Sequence, residues 1–295
     1  MQTVESPDDV KVSGLFSYPI KGCRAVQHVS AQVLTSGLRH DREWMLVDTR
    51  HTPAQFMSQR DCPSMATIGV SSNDSGGIVL TSSDGDSVLV AAPSSGALQK
   101  VKVWNHETVA QDAGDAAARW MAGKLGVVGS HVRLVRFHPD MRRECNRLYA
   151  GDSGAHTFFA DGYPILVTSS SSLGDLNTRM GRTGNDALPM NRFRPNIVID
   201  GLPAWDEDHI DTLSIGGVIV KLVKPCVRCQ VTTTDQSSGS RLSDEPLNTL
   251  ARFRNNPDFG GVTFGWNAVV IAEGTITTGD LVNAEYRFYR PPRVS

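Results

Sequence analysis

The densest chemistry in this 295-residue sequence lies in Lys224-Pro-Cys-Val-Arg-Cys-Gln-Val-Thr-Thr-Thr-Asp, which sets Cys226 and Cys229 three residues apart with Arg228 beside the second. A guanidinium near a thiol favours the thiolate, the form that ligates metals and acts as a nucleophile. Three chemistries use such a pair. A structural zinc site needs a second pair of ligands, and the other cysteines, Cys23, Cys62 and Cys145, stand singly, with no histidine pair at finger spacing nearby. A thioredoxin-type redox pair opens a helix, whereas Gln230-Val-Thr-Thr-Thr is strongly β-forming. The third reading is one or two cysteines packed in a strand as small hydrophobes.

A second set of residues has anion chemistry. Lys21 follows Ser17-Tyr-Pro-Ile at the end of an apolar strand, Arg42 lies in Gly37-Leu-Arg-His-Asp-Arg just before another strand, and Arg192-Phe-Arg194-Pro-Asn196 precedes the apolar run Ile197–Ile199. Arginine forks match phosphate oxygens and lysine supplies a point charge. Each of these cations alone reads as a solvated surface charge, and spacing does not show that they converge. The run Ser169–Ser172, between an apolar strand and Leu173-Gly-Asp-Leu, predicts a helix N-cap with backbone N–H groups suited to an anion.

The elements that must position these groups are short. Strands are predicted over Val12–Tyr18, Gln32–Leu34, Glu43–Asp48, Ile78–Leu80, Ser87–Ala91 and Val101–Trp104, with Asp84-Gly85 as a hairpin turn. The period then changes, and residues 114–125 predict an amphipathic helix carrying Ala116, Ala117, Trp120 and Leu125 near helical spacing. This helix ends a first domain, residues 10–125, and a second runs over 126–295. Strands follow at His131–Phe137, Tyr163–Thr168, Pro195–Ile199, Thr212–Ile215, Val218–Val223, Trp266–Ile271 and Leu281–Tyr286. Helices are predicted through Asn177 and near Glu245–Arg254, and His138–Ala155 reads as a loop or lid. The fold class is α+β, mostly β, and a β-barrel with peripheral helices is the most economical architecture.

Composition sets outer bounds. With 40% hydrophobic and 20% charged residues, 27 glycines and 15 prolines, the chain reads as globular and rich in turns. A formal net charge of −2 disfavours general nucleic-acid binding, so an anion site must be a local cluster. The polar start of the chain and the lack of any run of about 20 apolar residues predict no membrane span. Five cysteines suit a reducing compartment, and the expected location is cytoplasmic, with mitochondrial association left open.

The motifs SYPIKGC (17–23), GLRHDREWMLVD (37–48), QRDCPSMATI (59–68), YPILVTSSSSLGDLN (163–177), RFRPNIVI (192–199), CVRCQVTTTD (226–235) and FGWNAVV (264–270) occur in one order along the chain. In them the sequence resembles the molybdenum-cofactor sulfurase C-terminal (MOSC) proteins and, within these, the amidoxime reducing components. The resemblance covers nearly the whole chain. It implies a MOSC-type β-barrel preceded by a β-rich MOSC-associated domain, and a molybdenum ion held by a nucleotide-free molybdopterin with Cys229 as the protein's thiolate ligand. By the same carry-over, Lys21, Gly22, Arg42, Ser169, Ser170 and Arg194 contact the pterin or its phosphate, Asn196 supports them, and Val227, Arg228 and Asn267 line the metal's surroundings. Gly22 stands where animal members carry serine, which leaves one phosphate hydrogen bond missing or supplied by backbone N–H, and Asn267 stands where they carry tyrosine.

The resemblance further implies reduction of N-hydroxylated substrates (amidoximes, hydroxylamines, N-oxides), with nitrite to nitric oxide as a further activity. It implies cytochrome b5 and NADH-cytochrome b5 reductase, or a nitrate reductase, as electron donors. Electrons are expected from another protein, since no ferredoxin-like cysteine cluster follows. The alternative is a molybdenum-cofactor carrier or sulfuration module without turnover, and a third reading is a metal-free thiol-dependent binding protein.

Overall fold

A computed structural model describes residues 9–287 except 74, 94–96, 128 and 130. The polar opening residues 1–8 and residues 288–295 lie outside it. Five strands close a first barrel: Trp44–Asp48, Ala54–Phe56, Leu98–Val103, His106–Asp112 and Val132–Phe137. Its interior is packed by Met45, Val47, Val101, Val103, Val135, Phe137 and Phe159. Alternate residues of the same strands, Trp44, Leu46, Val132 and Leu134, point the other way, into a cluster with Ile20, Met65 and Met121, so both faces of these strands are buried. The strand His106–Asp112 was not foreseen, because only Ala110 in it is buried and its other residues show no apolar alternation.

The second unit is a nine-stranded sheet in which eight strands run in the order Val26–His28, Lys11–Ser17, Ile197–Asp200, Ile165–Ser169, Gly261–Ala272, Val218–Val227, Ile210–Ile215 and Val282–Tyr286, and the ninth, Asn255–Asn256, pairs with Gly261–Ala272 off this path. Ile165–Ser169 and Ile197–Asp200 pair in parallel, which explains their nearly unbroken burial. The helix Ser170–Arg179 lies on the crossover between them. Val12, Leu15, Ile165, Val167, Ile197, Ile199 and Leu213 belong to this unit's core. The chain does not divide cleanly at residue 125. Val132–Phe137 completes the first barrel from beyond that point, and Lys11–Ser17 joins the second sheet from before it.

Two local readings differ from the sequence expectation. The helix Asp115–Leu125 buries Ala117, Ala118, Met121 and Leu125, leaving Ala116 exposed and Trp120 half-buried, so its apolar face is rotated by about one residue. Gln230–Thr233, expected to be extended, is a 3-10 turn. The hydroxyls of Thr232 and Thr233 donate to the carbonyls of Cys229 and Gln230, three residues back, and this local bonding overrides β propensity. The segment His138–Ala155 is largely loop but contains a short helix, Arg147–Ala150, capped by Asn146. No described helix is long and apolar enough to cross a membrane.

Candidate functional site

An open cleft with a cavity volume of about 150 Å³ lies where loops of the first barrel meet the second sheet. The loop after Lys11–Ser17 delivers Lys21 and Gly22. Ile20 bridges to Trp44, and Lys21 donates its backbone N–H to the Trp44 carbonyl at 2.8 Å, anchoring the turn on the barrel. Gly22 has φ +87°, a left-handed conformation that disfavours any Cβ, and an added Cβ there would stand 2.7 Å from Met65 Cε. The position that the resemblance assigns to a phosphate contact is therefore held by glycine for backbone reasons.

Arg42 and Arg194 both sit at left-handed φ, +52° and +56°. Their guanidiniums lie 4.1 and 4.2 Å from the ring centre of buried Tyr18. Arg42 donates from one nitrogen, Nη1, to both carboxylate oxygens of Asp41, at 2.7 and 2.6 Å, while Arg194 donates to the Cys23 carbonyl at 2.8 Å and to Gln236 at 3.2 Å. Burial pushes the Tyr18 hydroxyl up to about 12 and pulls Arg194 down to about 10. Tyr18 thus stays neutral, an apolar spacer between two cations.

The cysteine segment supplies the opposite wall. Cys229 precedes the 3-10 turn with its side chain exposed, and Cys226 is half-buried. Arg228 donates to Cys226 Sγ at 2.8 Å and to the Phe193 carbonyl at 2.5 Å, and its Nε has no partner among the described residues. Asn267, in register with Lys224 across the sheet, donates weakly to the Pro225 carbonyl at 3.5 Å. Asn196 is buried and bridges strands, donating to the Phe16 carbonyl at 3.1 Å and accepting from Leu166 N–H at 3.1 Å.

Of the residues singled out from the sequence, Lys21, Gly22, Arg42, Arg194, Asn196, Val227, Arg228, Cys229 and Asn267 all border this one cleft. Ser169 and Ser170 do not. Ser169 ends its strand fully buried, its hydroxyl unpartnered among the described residues, and Ser170 Oγ lies 3.2 Å from Ser13 Oγ. The cleft reaches that strand only at Leu166, so the geometry gives no support to the anion role expected of the two serines. Arg192, read with the basic set, is turned away to hold the cysteine turn, donating to the Thr233 carbonyl at 2.8 Å.

Several residues at or beside the cleft were given no role from the sequence. Arg60 stacks over Trp104 at 4.4 Å, and Trp104 Nε1 donates to Asp161 at 2.9 Å. Gln59 and Gln236 exchange hydrogen bonds at 3.0 and 2.9 Å across the two units, and Gln59 also donates to the Gly22 carbonyl at 2.7 Å. Their partners lie 37 to 177 residues away, beyond any local pattern. Five cations face the cleft (Lys21, Arg42, Arg60, Arg194 and Arg228) against one carboxylate, Asp161. A chain of net charge −2 has thus concentrated positive field in one concave site containing an exposed thiol. Among the described residues no three His, Cys, Asp or Glu side chains gather as metal ligands.

Comparison with known proteins matches two family models in succession along the chain. The family model described as MOSC N-terminal beta barrel domain covers residues 9–128, and the MOSC domain model covers 154–283. "Mitochondrial amidoxime reducing component 2" of Bos taurus is 32% identical over 251 residues, 82% of this chain and 72% of that protein. "Mitochondrial amidoxime-reducing component 1" of Homo sapiens is 32% identical over 285 residues, 92% of this chain and 82% of that protein. "Molybdenum cofactor sulfurase" of Oryza sativa subsp. japonica is 28% identical over 87% of this chain, which spans 32% of that longer protein. With both family models matched in order and about a third of its residues shared with the two amidoxime reducing components over most of their length, the chain belongs to the MOSC-domain family that includes them.

Proposed function

We propose that the cleft binds a molybdenum–molybdopterin cofactor through Cys229 and that the protein reduces N-hydroxylated compounds such as amidoximes, hydroxylamines and N-oxides. The observation that carries this reading is the coincidence, in one cleft, of an exposed thiol and five cations. A thiolate is the soft donor that a redox-active metal takes beside dithiolene sulfurs. Lys21, Arg42 and Arg194 suit the terminal phosphate, and the backbone at Gly22 lets it approach closely. The donor set therefore fits the group.

When bound, this cofactor supplies a centre that exchanges an oxygen atom and two electrons with substrate. The chain's residues bind and orient. Val227, half apolar lip of the cleft, and Asn267, a neutral amide, set the shape of the substrate mouth, and Arg228 holds the segment between the two thiols. The electron donor on this reading is a cytochrome b5 with its NADH-dependent reductase, or a nitrate reductase where nitrite is reduced to nitric oxide.

Purified protein should contain one molybdenum and one pterin per chain and no released guanine or cytosine, and should turn over a benzamidoxime-type substrate with reduced viologen. NADH alone should give no turnover, and a cytochrome b5-supported rate should fall from low to high salt. The similarity to a cofactor sulfurase favours a second reading, a carrier that holds the cofactor without turnover. Stoichiometric cofactor with no reduction of any N-hydroxylated substrate would establish the carrier instead.

A further inference from the structure

The Lys21 side chain is only 10% exposed, and its acceptors are the Phe159 carbonyl at 2.9 Å and Asp161 Oδ1 at 2.5 Å. A buried ammonium without a counter-charge is costly, so the carboxylate compensates it in the ligand-free protein. Asp161 is placed differently. Its side chain keeps 74% of its exposure at the cleft mouth. Its backbone is fixed independently, because Arg143 donates to the carbonyls of Phe158, Ala160 and Asp161. The carboxylate can therefore leave Lys21 by turning its own side-chain torsions toward solvent while the segment stays still. One further restraint holds it, the 2.9 Å bond from Trp104 Nε1 at the tip of a hairpin.

We propose that Asp161 is an internal competitor for the anion subsite: it occupies Lys21 in the ligand-free protein and sets the affinity a ligand's phosphate must exceed to displace it. This rests on the reading of Lys21, Arg42 and Arg194 as phosphate anchors. An apparent dissociation constant is the intrinsic one divided by the fraction of molecules whose site is competent, here those with Asp161 turned away. The factor is common to all anions that must displace Asp161. Singly charged ions that bind weakly are thereby kept out at ordinary concentrations, whereas a phosphate that meets several cations at once still binds.

Titration of the 295-residue, cofactor-free chain with inorganic phosphate at fixed ionic strength, followed by calorimetry, tests this. Asp161→Asn should bind phosphate at least tenfold more tightly than wild type, and Trp104→Phe, which removes one restraint on the carboxylate, should show a smaller gain. In phosphate-free buffer Asp161→Asn should melt at a lower temperature, with Lys21 left uncompensated, and phosphate should restore the difference. Equal or weaker phosphate binding by Asp161→Asn, with wild type binding measurably, would overturn the competitor role and leave the anchor reading standing. No phosphate binding by either protein would overturn both. If Asp161→Asn does not fold, Trp104→Phe decides, and no gain over wild type overturns the proposal.

Discussion

Arg228 donates to the sulfur of Cys226 at 2.8 Å, so the two thiols of the Cys-Val-Arg-Cys segment are inequivalent: Cys226 is tied to a guanidinium and half-buried, and Cys229 stands exposed. Their variants should diverge accordingly. Cys229→Ser replaces a soft thiolate with a hard hydroxyl and should abolish turnover while pterin is retained by the cations at the other end. Cys226→Ser removes the sulfur that accepts from Arg228 but not the metal's thiolate, and should lower the rate by no more than the roughly 10–100-fold seen when support behind a ligand is lost. Molybdenum content, pterin fluorescence and rate, measured together, check this. Equal loss in both variants, with a disulfide found between the thiols, would favour thiol redox chemistry.

The Asp41–Arg42 pair gives a pH-dependent prediction. Burial raises the Asp41 carboxyl, and Arg42 is the main force opposing that rise. In Arg42→Ala the carboxylate is left buried and unpaired, so stability at pH 7 should fall by about 3–5 kcal/mol. The carboxyl's folded-state value then climbs further above its unfolded one, so the folded state gains protons on acidification. The deficit relative to wild type should shrink toward pH 5. Urea unfolding at the two pH values measures it.

Gly22→Ala places a Cβ at φ +87° against Met65. The left-handed conformation alone should cost roughly 1–2 kcal/mol. Because Gln59 is bonded to the Gly22 carbonyl, the strain should also weaken phosphate binding, which separates this variant from an ordinary destabilised one.

Glu207 is buried and accepts from Ser172 at 2.7 Å, and burial raises its carboxyl to about 7. A carboxyl raised in the folded state stabilises most when both states are protonated, so its contribution is present below about 4.5 and is lost as pH rises to about 7. The loss is of order 3 kcal/mol at pH 8. Glu207→Gln should therefore unfold at higher denaturant than wild type at pH 8 and at nearly the same denaturant at pH 5. A variant less stable than wild type at pH 8 would show that the carboxylate has a partner in its charged form.

Much of the site was legible in the sequence because its residues sit in compact local patterns. Lys21, Arg42 and Arg194 each fall at a turn beside an apolar strand, and the thiol pair announces itself by spacing. Their convergence was not legible, since it is made by pairings such as Tyr18 with Asp41 and Arg42 with the Arg194 carbonyl, across 23 and 152 residues. Asp161 and Trp104 escaped notice for the same reason: one reads as a loop acid and the other as the last residue of a strand, and only the fold sets them 2.9 Å apart. The cysteine turn was misread because residue preferences alone omit the threonine hydroxyls and Arg192, which fold it inward.

The interleaving of the two units fixes an order of events on the ribosome. Lys11–Ser17 emerges early, yet its sheet neighbour Ile197–Asp200 is made some 180 residues later, and Ser30–Leu34 waits for Gly274–Thr277. The barrel between them can form while the chain is still being made. The wall bearing Cys229 and Asn267 must wait for Gly261–Ala272, which pairs with Val218–Val227. The cleft is therefore complete only once Gly261–Ala272 has been made, and whatever fills it must be captured after that strand is in place.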